Sequence, residues 1–346
     1  MTVSNPTDSR IFVAPAPRAV KDIFGEEELA RLRALGDVRL HESGPVTEAV
    51  FERHVADADI VIGQIDLPGD RLERAHNLKA IINVEGNFLP NVDYAQCFRQ
   101  GVRVLNVSPV FAEPVAELAL GMAIDLARGM TSGDRRFRSV TENYGLGANS
   151  DAYSLFEAPI GFIGMGDLGR AIVPLIKPFK PYIRAYDPWL PAAYLEAIGV
   201  QPASLEEVLT KSQVVFVVAG VTAQNQGFLG EAHFASMRRG AALVLVSRAG
   251  VVDFDAMLDA AQSGHIRVAT DVFPQEPLAP DHRARSLDGV LLSPHQAGAL
   301  TSALREIGKR VVADVELIAQ GLPPIMCKAA QPETVRLLRS KPVDKS

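Results

Sequence analysis

The stretch Ile160-Gly-Phe-Ile-Gly-Met-Gly-Asp-Leu-Gly169 decides the fold that we predict for the chain around it. Its first apolar residues are typical of the end of a buried strand, and Gly164, Gly166 and Gly169 then form a G-x-G-x-x-G turn that leads into a helical pattern. In such a turn the first glycine permits the tight bend, the second lets a pyrophosphate approach the backbone, and the third lets helix and strand pack closely. The amides and the positive dipole end of the following helix favour a bound diphosphate. The stretch therefore predicts a phosphate cradle.

A lone G-x-G-x-x-G is a weak signal because glycine-rich turns are common, so the next strand decides its interpretation. The run of residues 183–187 ends in Asp187, at about the 20-residue offset expected for a carboxylate that binds the adenosine-ribose hydroxyls. A carboxylate at this position repels the 2′-phosphate of NADP, and no arginine immediately follows it. The two features together predict a Rossmann fold that binds NAD. The alternative for Asp187 is a solvated acid at the end of a strand.

Composition excludes several other classes of protein. The 346 residues, 47% hydrophobic and 22% charged, are typical of a globular protein of two domains. A net charge of −6 offers no basic surface to nucleic acid. The only cysteines, Cys97 and Cys327, are too few for a disulfide framework or a zinc site, so no metal is expected. No apolar run is long enough to span a bilayer and the first residues do not resemble a signal peptide, so we expect a cytoplasmic protein without membrane partners.

Short apolar runs alternate with helical patterns along most of the chain, which predicts parallel sheets with helical crossovers. The first series lacks the glycine fingerprint and has strands at residues 11–14, 38–40, 60–62, 80–84 and 103–106. The second series follows the fingerprint and has strands at residues 214–218, 242–246, 266–270 and 290–292. A long apolar helix at residues 114–128, with Pro114 in its first turn, lies between the two series.

The predicted fold class is α/β, with two doubly wound parallel-sheet domains. We expect a Rossmann NAD-binding domain at residues 117–299, inserted into a discontinuous flavodoxin-like domain made of residues 1–116 and 300–346. Within the nucleotide domain, Pro174 falls inside the helix predicted at residues 167–179 and should kink it.

Polar residues that directly follow strands are the candidates for chemistry, because ligands of open α/β sheets bind beyond the carboxyl ends of the strands. Arg248, Glu276 and His295 follow three successive strands of the second series. A histidine beside a carboxylate suits a proton donor for hydride transfer to a carbonyl, because the carboxylate favours the imidazolium form. An arginine suits a bidentate clamp on a substrate carboxylate. Each of the three residues, taken alone, also fits an ordinary structural or surface role.

These residues lie in motifs that resemble the D-isomer-specific 2-hydroxyacid dehydrogenases, a family that includes D-3-phosphoglycerate dehydrogenase, glyoxylate/hydroxypyruvate reductase and D-lactate dehydrogenase. The likeness extends from the strand at Ile11 to the helix that ends near Gln320. Its most specific motifs are Gly164-x-Gly166-x-x-Gly169, Ser247-Arg248-Ala-Gly250, Asp271-Val-Phe-Pro-Gln-Glu276-Pro277-Leu and Ser293-Pro-His295-Gln-Ala-Gly298.

The resemblance implies that His295 is the acid/base, that Glu276 is its partner and that Arg248 is the substrate clamp. It also implies that Asp271 contacts the nicotinamide carboxamide. Together with the glycine turn and the acid after the second strand, the cofactor-binding set becomes Gly164, Met165, Gly166, Asp167, Leu168, Gly169, Asp187, Ala219, Val246, Ser247, Asp271 and Gly298. A homodimer built around the cofactor domains is implied as well. The polar segment at residues 130–151 is either an arm that packs on the second subunit or a solvated surface loop.

The predicted substrate loop departs from the family pattern. Family members usually have a glycine-rich turn after the strand at residues 80–84, whereas this chain reads Val84-Glu-Gly-Asn-Phe-Leu-Pro-Asn-Val-Asp93. The candidate substrate-binding residues of the loop are Glu85, Gly86 and Asn87. Glu85 either points away from the substrate or rejects a second anionic group. The second possibility argues against a phosphorylated substrate.

The leading hypothesis is an NAD-dependent oxidoreductase that interconverts a small 2-keto acid and a D-2-hydroxy acid. Arg248 would hold the carboxylate and His295 would pass the proton. Two alternatives use the same scaffold: an NAD-sensing corepressor without turnover, and a dehydrogenase of another oxyanion such as phosphite. The acidic balance and the complete set of Arg248, Glu276 and His295 argue against the sensor.

Overall fold

The computed structural model describes residues 8–337. Two predictions fall partly outside this range: the absence of a signal peptide at the amino terminus and the last residues of the returning segment. Within this range the chain divides into two compact units. The first combines the chain up to Phe111 with the chain from Ala299 onward, and the second is Ala112–Gly298. No helix of the described residues has the length and apolar content needed to cross a membrane.

The strands are β1 (Ser9–Ala14), β2 (Gly36–Leu40), β3 (Ile60–Gly63), β4 (Ala80–Asn83), β5 (Arg103–Asn106), β6 (Pro159–Ile163), β7 (Tyr182–Tyr186), β8 (Gln201–Pro202), β9 (Val214–Val217), β10 (Ala241–Leu245), β11 (Ile266–Thr270), β12 (Val290–Leu292) and β13 (Lys328–Ala329). The helices are α1 (Val20–Ile23), α2 (Glu26–Ala34), α3 (Glu48–Val50), α4 (Gly69–Arg74), α5 (Tyr94–Gln100), α6 (Ser108–Arg128), α7 (Met130–Arg138), α8 (Asp167–Ile176), α9 (Ala192–Ala197), α10 (Leu205–Lys211), α11 (Glu231–Ser236), α12 (Phe254–Gln262), α13 (Thr301–Ala319) and α14 (Pro332–Val335).

The first unit has a six-stranded sheet in the order β13-β5-β4-β3-β1-β2. Strands β1 to β5 pair in parallel in the flavodoxin-like order, and β13 joins the β5 edge in the antiparallel direction. Every residue of β3 and β4 is buried, because helices cover both faces of the sheet. One apolar cluster includes Ile23, Leu32 and Val311, and the other, built from the alternate side chains of the strands, includes Phe51 and Leu72.

The second unit has a seven-stranded sheet, all parallel, in the order β12-β11-β10-β9-β6-β7-β8. Counted from β6, this is the Rossmann order, and the chain changes direction across the sheet between β6 and β9. The predicted fold class of two doubly wound parallel-sheet α/β domains is therefore confirmed. The switch point places the loops after β6 and β9 at the same crevice of the sheet edge.

Two helix predictions involving proline need correction. The helix predicted to begin at Pro114 begins at Ser108, so Pro109 occupies the first turn and Pro114 lies inside the helix. The helix predicted at residues 167–179 ends as α8 at Ile176, two residues after Pro174, and a 3-10 turn continues to Phe179. In both cases a proline that follows earlier helical turns is accommodated at the loss of one backbone hydrogen bond.

Asp314 on α13 connects this helix to the segment that leads into β13. The side chain is fully buried and its carboxylate accepts hydrogen bonds from the amides of Ile325, Met326 and Cys327 at 2.7–2.9 Å. We expect Asp314→Ala to lower the free energy of unfolding by about 3 kcal/mol, because one buried and two part-buried amides lose a charged acceptor. Urea denaturation followed by circular dichroism measures this loss.

The matched control is Glu306→Ala on the same helix. Glu306 is half-exposed and pairs with Arg310 one turn away, so its removal should cost no more than about 0.5 kcal/mol. Equal losses for the two variants would show that Asp314 contributes nothing beyond an ordinary helix-surface acid.

Candidate active site

The three glycines of the fingerprint meet three different surroundings. Gly164 has a φ of +87°, and a Cβ there would lie 2.7 Å from the backbone of Ala219, which follows β9. A Cβ on Gly169 would lie 2.9 Å from the Met165 sulfur, so this glycine permits close helix–strand packing. A Cβ on Gly166 would meet no atom of residues 8–337 within 4 Å. The protein itself therefore does not require glycine at position 166, which is what a close approach by a ligand predicts.

Helix α8 begins directly after Gly166, and none of the side chains that the structure describes caps it, so its dipole and first-turn amides face the cradle. Asp167 forms an ion pair with Arg170 at 2.5 Å, which balances its charge at the helix start. Leu168 is partly buried in the same turn. The open position 166 and the uncapped helix start fit the pyrophosphate of a dinucleotide.

Asp187 follows β7 and organises the same turn. One carboxylate oxygen accepts the Met165 amide at 2.8 Å and the other accepts the Trp189 amide at 2.9 Å. Each oxygen keeps a second lone pair, so the side chain is compatible with an additional pair of hydroxyl donors. Trp189 is 57% exposed and is the only tryptophan of the chain, so its fluorescence is a probe for ligands beside Asp187.

A pair of alanine substitutions separates folding from cofactor binding in this cradle. Gly164→Ala should destabilise the protein by about 3 kcal/mol, because it combines a left-handed backbone with a backbone clash. Gly166→Ala should leave the unfolding free energy within about 0.5 kcal/mol of wild type and weaken NADH binding at least about tenfold. Thermal unfolding and quenching of Trp189 fluorescence by NADH measure the two quantities. Unchanged NADH affinity in Gly166→Ala would remove position 166 from the cofactor site.

The candidate catalytic residues follow three adjacent strands, because β10, β11 and β12 are neighbours in the sheet. Nδ1 of His295 lies 2.6 Å from Oε2 of Glu276. Arg248 directly follows the loop residue Ser247 and one of its terminal nitrogens donates to the Ser247 carbonyl at 2.7 Å. The side chains of His295 and Glu276 are 44% and 36% exposed, so a small molecule can reach them.

The pKa of the Glu276 carboxyl lies below its ordinary value. Partial burial raises this pKa, but hydrogen bonds from His295 and from the Phe273 amide, with the charges of His295 and Arg248, outweigh the burial. The positive charge of Arg248 therefore acts on the Glu276 carboxylate. Because the carboxylate is an acceptor only, Nδ1 of His295 carries the shared proton and Nε2 is the nitrogen left for exchange with a substrate.

Asp271 holds the loop that carries His295. The side chain is 1% exposed, and it accepts hydrogen bonds from the Ser293 hydroxyl at 2.5 Å and from the amides of Gln296 and Ala297, both at 3.0 Å. These donors lie on both sides of His295, whose φ of +51° is in the left-handed region. A non-glycine residue there carries strain that its surroundings must maintain. The sequence did not predict these hydrogen bonds between Asp271 and residues on both sides of His295.

The other predicted cofactor residues lie at the same sheet edge of the second unit. Val246 and Ser247 are buried directly after β10, and the Ser247 hydroxyl donates to the Val217 carbonyl of β9 at 3.2 Å. Ala219 faces Gly164 across the switch point. Gly298 ends the loop that Asp271 holds. Among residues 8–337, no group of three or more histidine, cysteine or acidic side chains is placed to hold a metal ion.

The predicted substrate loop follows β4 in the first unit. Its Glu85 carboxylate forms an ion pair with Arg18 at 2.9 Å, and Arg18 also donates to the Val84 carbonyl at 3.2 Å. The loop is closed at its base by a 3.0 Å hydrogen bond between the buried side chains of Asn91 and Asn83. No sequence pattern pointed to Arg18, which lies in the aperiodic segment after β1.

Comparison with known proteins gives consistent matches. The family model for the NAD-binding domain of the D-isomer-specific 2-hydroxyacid dehydrogenases matches residues 120–297. The crystal structure of a phosphoglycerate oxidoreductase from Rhizobium etli is similar with a TM-score of 0.86 and 44% identity, covering 96% of this chain and 100% of that chain.

Two curated relatives are more distant. A D-3-phosphoglycerate dehydrogenase of Archaeoglobus fulgidus is 28% identical over 306 residues, which are 88% of this chain and 57% of that protein. A glyoxylate reductase of Korarchaeum cryptofilum is 28% identical over 298 residues, or 83% of this chain and 88% of that protein. The predictions of the family and of the NAD cofactor are confirmed: the chain belongs to the D-isomer-specific 2-hydroxyacid dehydrogenases, and its second unit carries their NAD-binding domain.

Proposed function

We propose that the protein is an NAD-dependent oxidoreductase that interconverts a small 2-keto acid and the corresponding D-2-hydroxy acid. The observation that carries this proposal is the 2.6 Å contact between His295 and Glu276, with Arg248 on the neighbouring strand end. The relatives are named for phosphoglycerate and glyoxylate, which share a carboxylate beside the reacting carbon.

Each of the three side chains has a separate role in the proposed reaction. The guanidinium of Arg248 binds the substrate carboxylate and polarises the adjacent carbonyl oxygen. Nε2 of His295 gives that oxygen a proton during reduction and takes it back during oxidation. Glu276 orients the imidazole through Nδ1. NAD, when bound in this cradle, would supply or accept the hydride.

The cofactor assignments follow the cradle. The amides after Gly166 would hold the pyrophosphate, and Asp187 would accept hydrogen bonds from the hydroxyls of the adenosine ribose. In the first unit, residues of the loop Glu85, Gly86 and Asn87 contribute to substrate binding.

A substrate panel tests the proposal. Nicotinamide absorbance is followed with glyoxylate, pyruvate, hydroxypyruvate, bulkier 2-keto acids and phosphite as substrates. Turnover of a keto acid is expected, and turnover of phosphite alone would replace the proposed substrate class. NADH binding without turnover of any compound would favour the sensor over the enzyme. The accessible pair of His295 and Glu276 supports the enzyme, because such a pair suits proton transfer and NAD binding alone does not need it.

We also propose a homodimer built on the second unit. Helix α7 and the turn after it expose an unusual set of large apolar side chains: Met130, Phe137, Val140, Tyr144 and Leu146, each 58–84% exposed. A concentration of exposed apolar side chains in one segment favours a protein–protein interface there. The family resemblance implies that a second copy of the chain covers these side chains. Of the two alternatives for residues 130–151, the exposed apolar side chains favour an arm that packs on the second subunit over a solvated surface loop.

The dimer is tested by light scattering coupled to size exclusion. Wild type should elute with twice the mass of one chain, and the double substitution Phe137→Asp with Leu146→Asp should give a folded monomer, because two charges would be buried without partners. A monomeric wild type, or a dimer that survives both substitutions, would contradict this interface.

A further inference from the structure

We propose that the ion pair of Arg18 and Glu85 determines which chemical group the enzyme accepts at the end of the substrate that is remote from the 2-keto acid group. Glu85 acts as an internal counter-ion that occupies Arg18 and so selects 2-keto acids that carry no second anionic group. This inference rests on the proposed function and on the contribution of the loop after β4 to substrate binding. It concerns a residue, Arg18, that lies outside the predicted site.

Arg18 is held in place by the substrate loop itself. Its guanidinium donates to the Val84 carbonyl at 3.2 Å through Nε and to the Glu85 carboxylate at 2.9 Å through Nη2. Its centre lies 5.6 Å from the ring centroid of Phe111, within the range of a cation–π contact. A Cβ on Gly86 would lie 3.2 Å from the same ring, so the loop backbone also packs against Phe111. Two of these three contacts do not depend on Glu85.

The backbone of the loop is fixed from several sides. The Val84 amide donates to Gln64 at 2.9 Å, and the Val107 amide donates to the Glu85 carbonyl at 3.1 Å. The guanidinium therefore stays beside the loop whether or not the Glu85 charge is present. Arg18 is thus a preorganised anion site whose anion is supplied by the chain.

The charge of the pair determines the selection. The side chains of Arg18 and Glu85 are 23% and 29% exposed, so both are partly shielded from water. A phosphate or second carboxylate that took Arg18 would leave Glu85 half-buried without its cation, which is costly. A substrate with an uncharged group at this end, such as a hydroxyl, leaves the ion pair of Arg18 and Glu85 intact. The hydroxyl can then donate a hydrogen bond to the Glu85 carboxylate. Glu85 therefore rejects a second anion because it already holds the cation that such an anion needs.

The test compares two substrates that differ by one phosphate, hydroxypyruvate and phosphohydroxypyruvate, in the same enzyme preparation. The ratio of their kcat/KM values cancels any loss of folded protein. Wild type should prefer hydroxypyruvate. Glu85→Gln should raise the ratio of phosphorylated to unphosphorylated substrate at least about tenfold, because Arg18 gains a place for the phosphate. Arg18→Gln should lower that ratio, because Glu85 then stands alone.

The double variant Arg18→Gln with Glu85→Gln should lose the gain of Glu85→Gln, since no cation remains. The matched control is Glu316→Gln, which removes one charge from the bidentate pair of Arg31 and Glu316 at 2.7 and 2.8 Å in the same unit and should leave the ratio unchanged. A wild type that prefers the phosphorylated substrate, or an unchanged ratio in Glu85→Gln, would overturn the assignment. Absence of turnover with every 2-keto acid would instead overturn the proposed function on which it rests.

Discussion

His295→Asn should lower kcat by about a thousandfold, which lies within the usual contribution of a positioned general acid. Asparagine is chosen because His295 has a φ of +51°, a conformation that asparagine tolerates and that alanine adopts only at a cost of roughly 1–2 kcal/mol. The loss of rate then reports the missing imidazole rather than a rearranged loop. Steady-state kinetics with the best keto acid of the panel measures kcat, and Trp189 quenching verifies that NADH still binds.

The control for this variant is His265→Asn. His265 directly precedes β11 and therefore lies at the amino edge of the sheet, opposite the edge where His295 follows β12. Its ring lies 3.0 Å from the Met237 carbonyl. Full activity is expected for His265→Asn. A His295→Asn enzyme that keeps more than about a tenth of wild-type kcat would rule out His295 as the acid, since that falls below the range of general acid catalysis.

The sheet architecture was predictable because the spacing of apolar residues and the apolar composition of short runs are enough to identify buried parallel strands. Every side chain of the run Val214–Val217 is buried. Such a run lacks the alternation of apolar and polar residues that is typical of a half-exposed strand. The edge strand β13 and the two-residue β8 were missed because neither has a pattern of its own. β13 follows the segment that Asp314 fixes through three backbone amides, and no local sequence signal reports such a contact.

The glycine cradle and the residues after the strands were predictable because strand order alone brings them to one edge. What could not be predicted are contacts between residues distant in sequence. Arg18 pairs with Glu85 across 67 positions, and Asp271 reaches past the whole of β12 to the loop around His295. Such contacts depend on how loops close, and loop closure has no periodic signature. They also affect the interpretation of Glu85, because an ion pair with Arg18 balances its charge.

Asp271→Ala should lower kcat by about a hundredfold or more, because a catalytic group displaced by even one ångström loses that much rate. The carboxylate accepts donors from Ser293, Gln296 and Ala297, on both sides of His295, so without it the left-handed backbone of His295 is no longer maintained. The measurement is kcat with saturating NADH and keto acid, beside a thermal unfolding curve to confirm that the protein is folded.

The affinity for NADH separates this positioning role from the nicotinamide contact that the family resemblance implies for Asp271. If Asp271 acts by holding the loop, kcat falls while NADH quenches Trp189 with unchanged affinity, and Ser293→Ala causes a smaller fall in kcat, because it removes one of the three donors and keeps the carboxylate. If Asp271 acts on the nicotinamide, NADH affinity falls in Asp271→Ala and Ser293→Ala behaves as wild type. The carboxylate is 1% exposed and already has three donors, so the first outcome is expected.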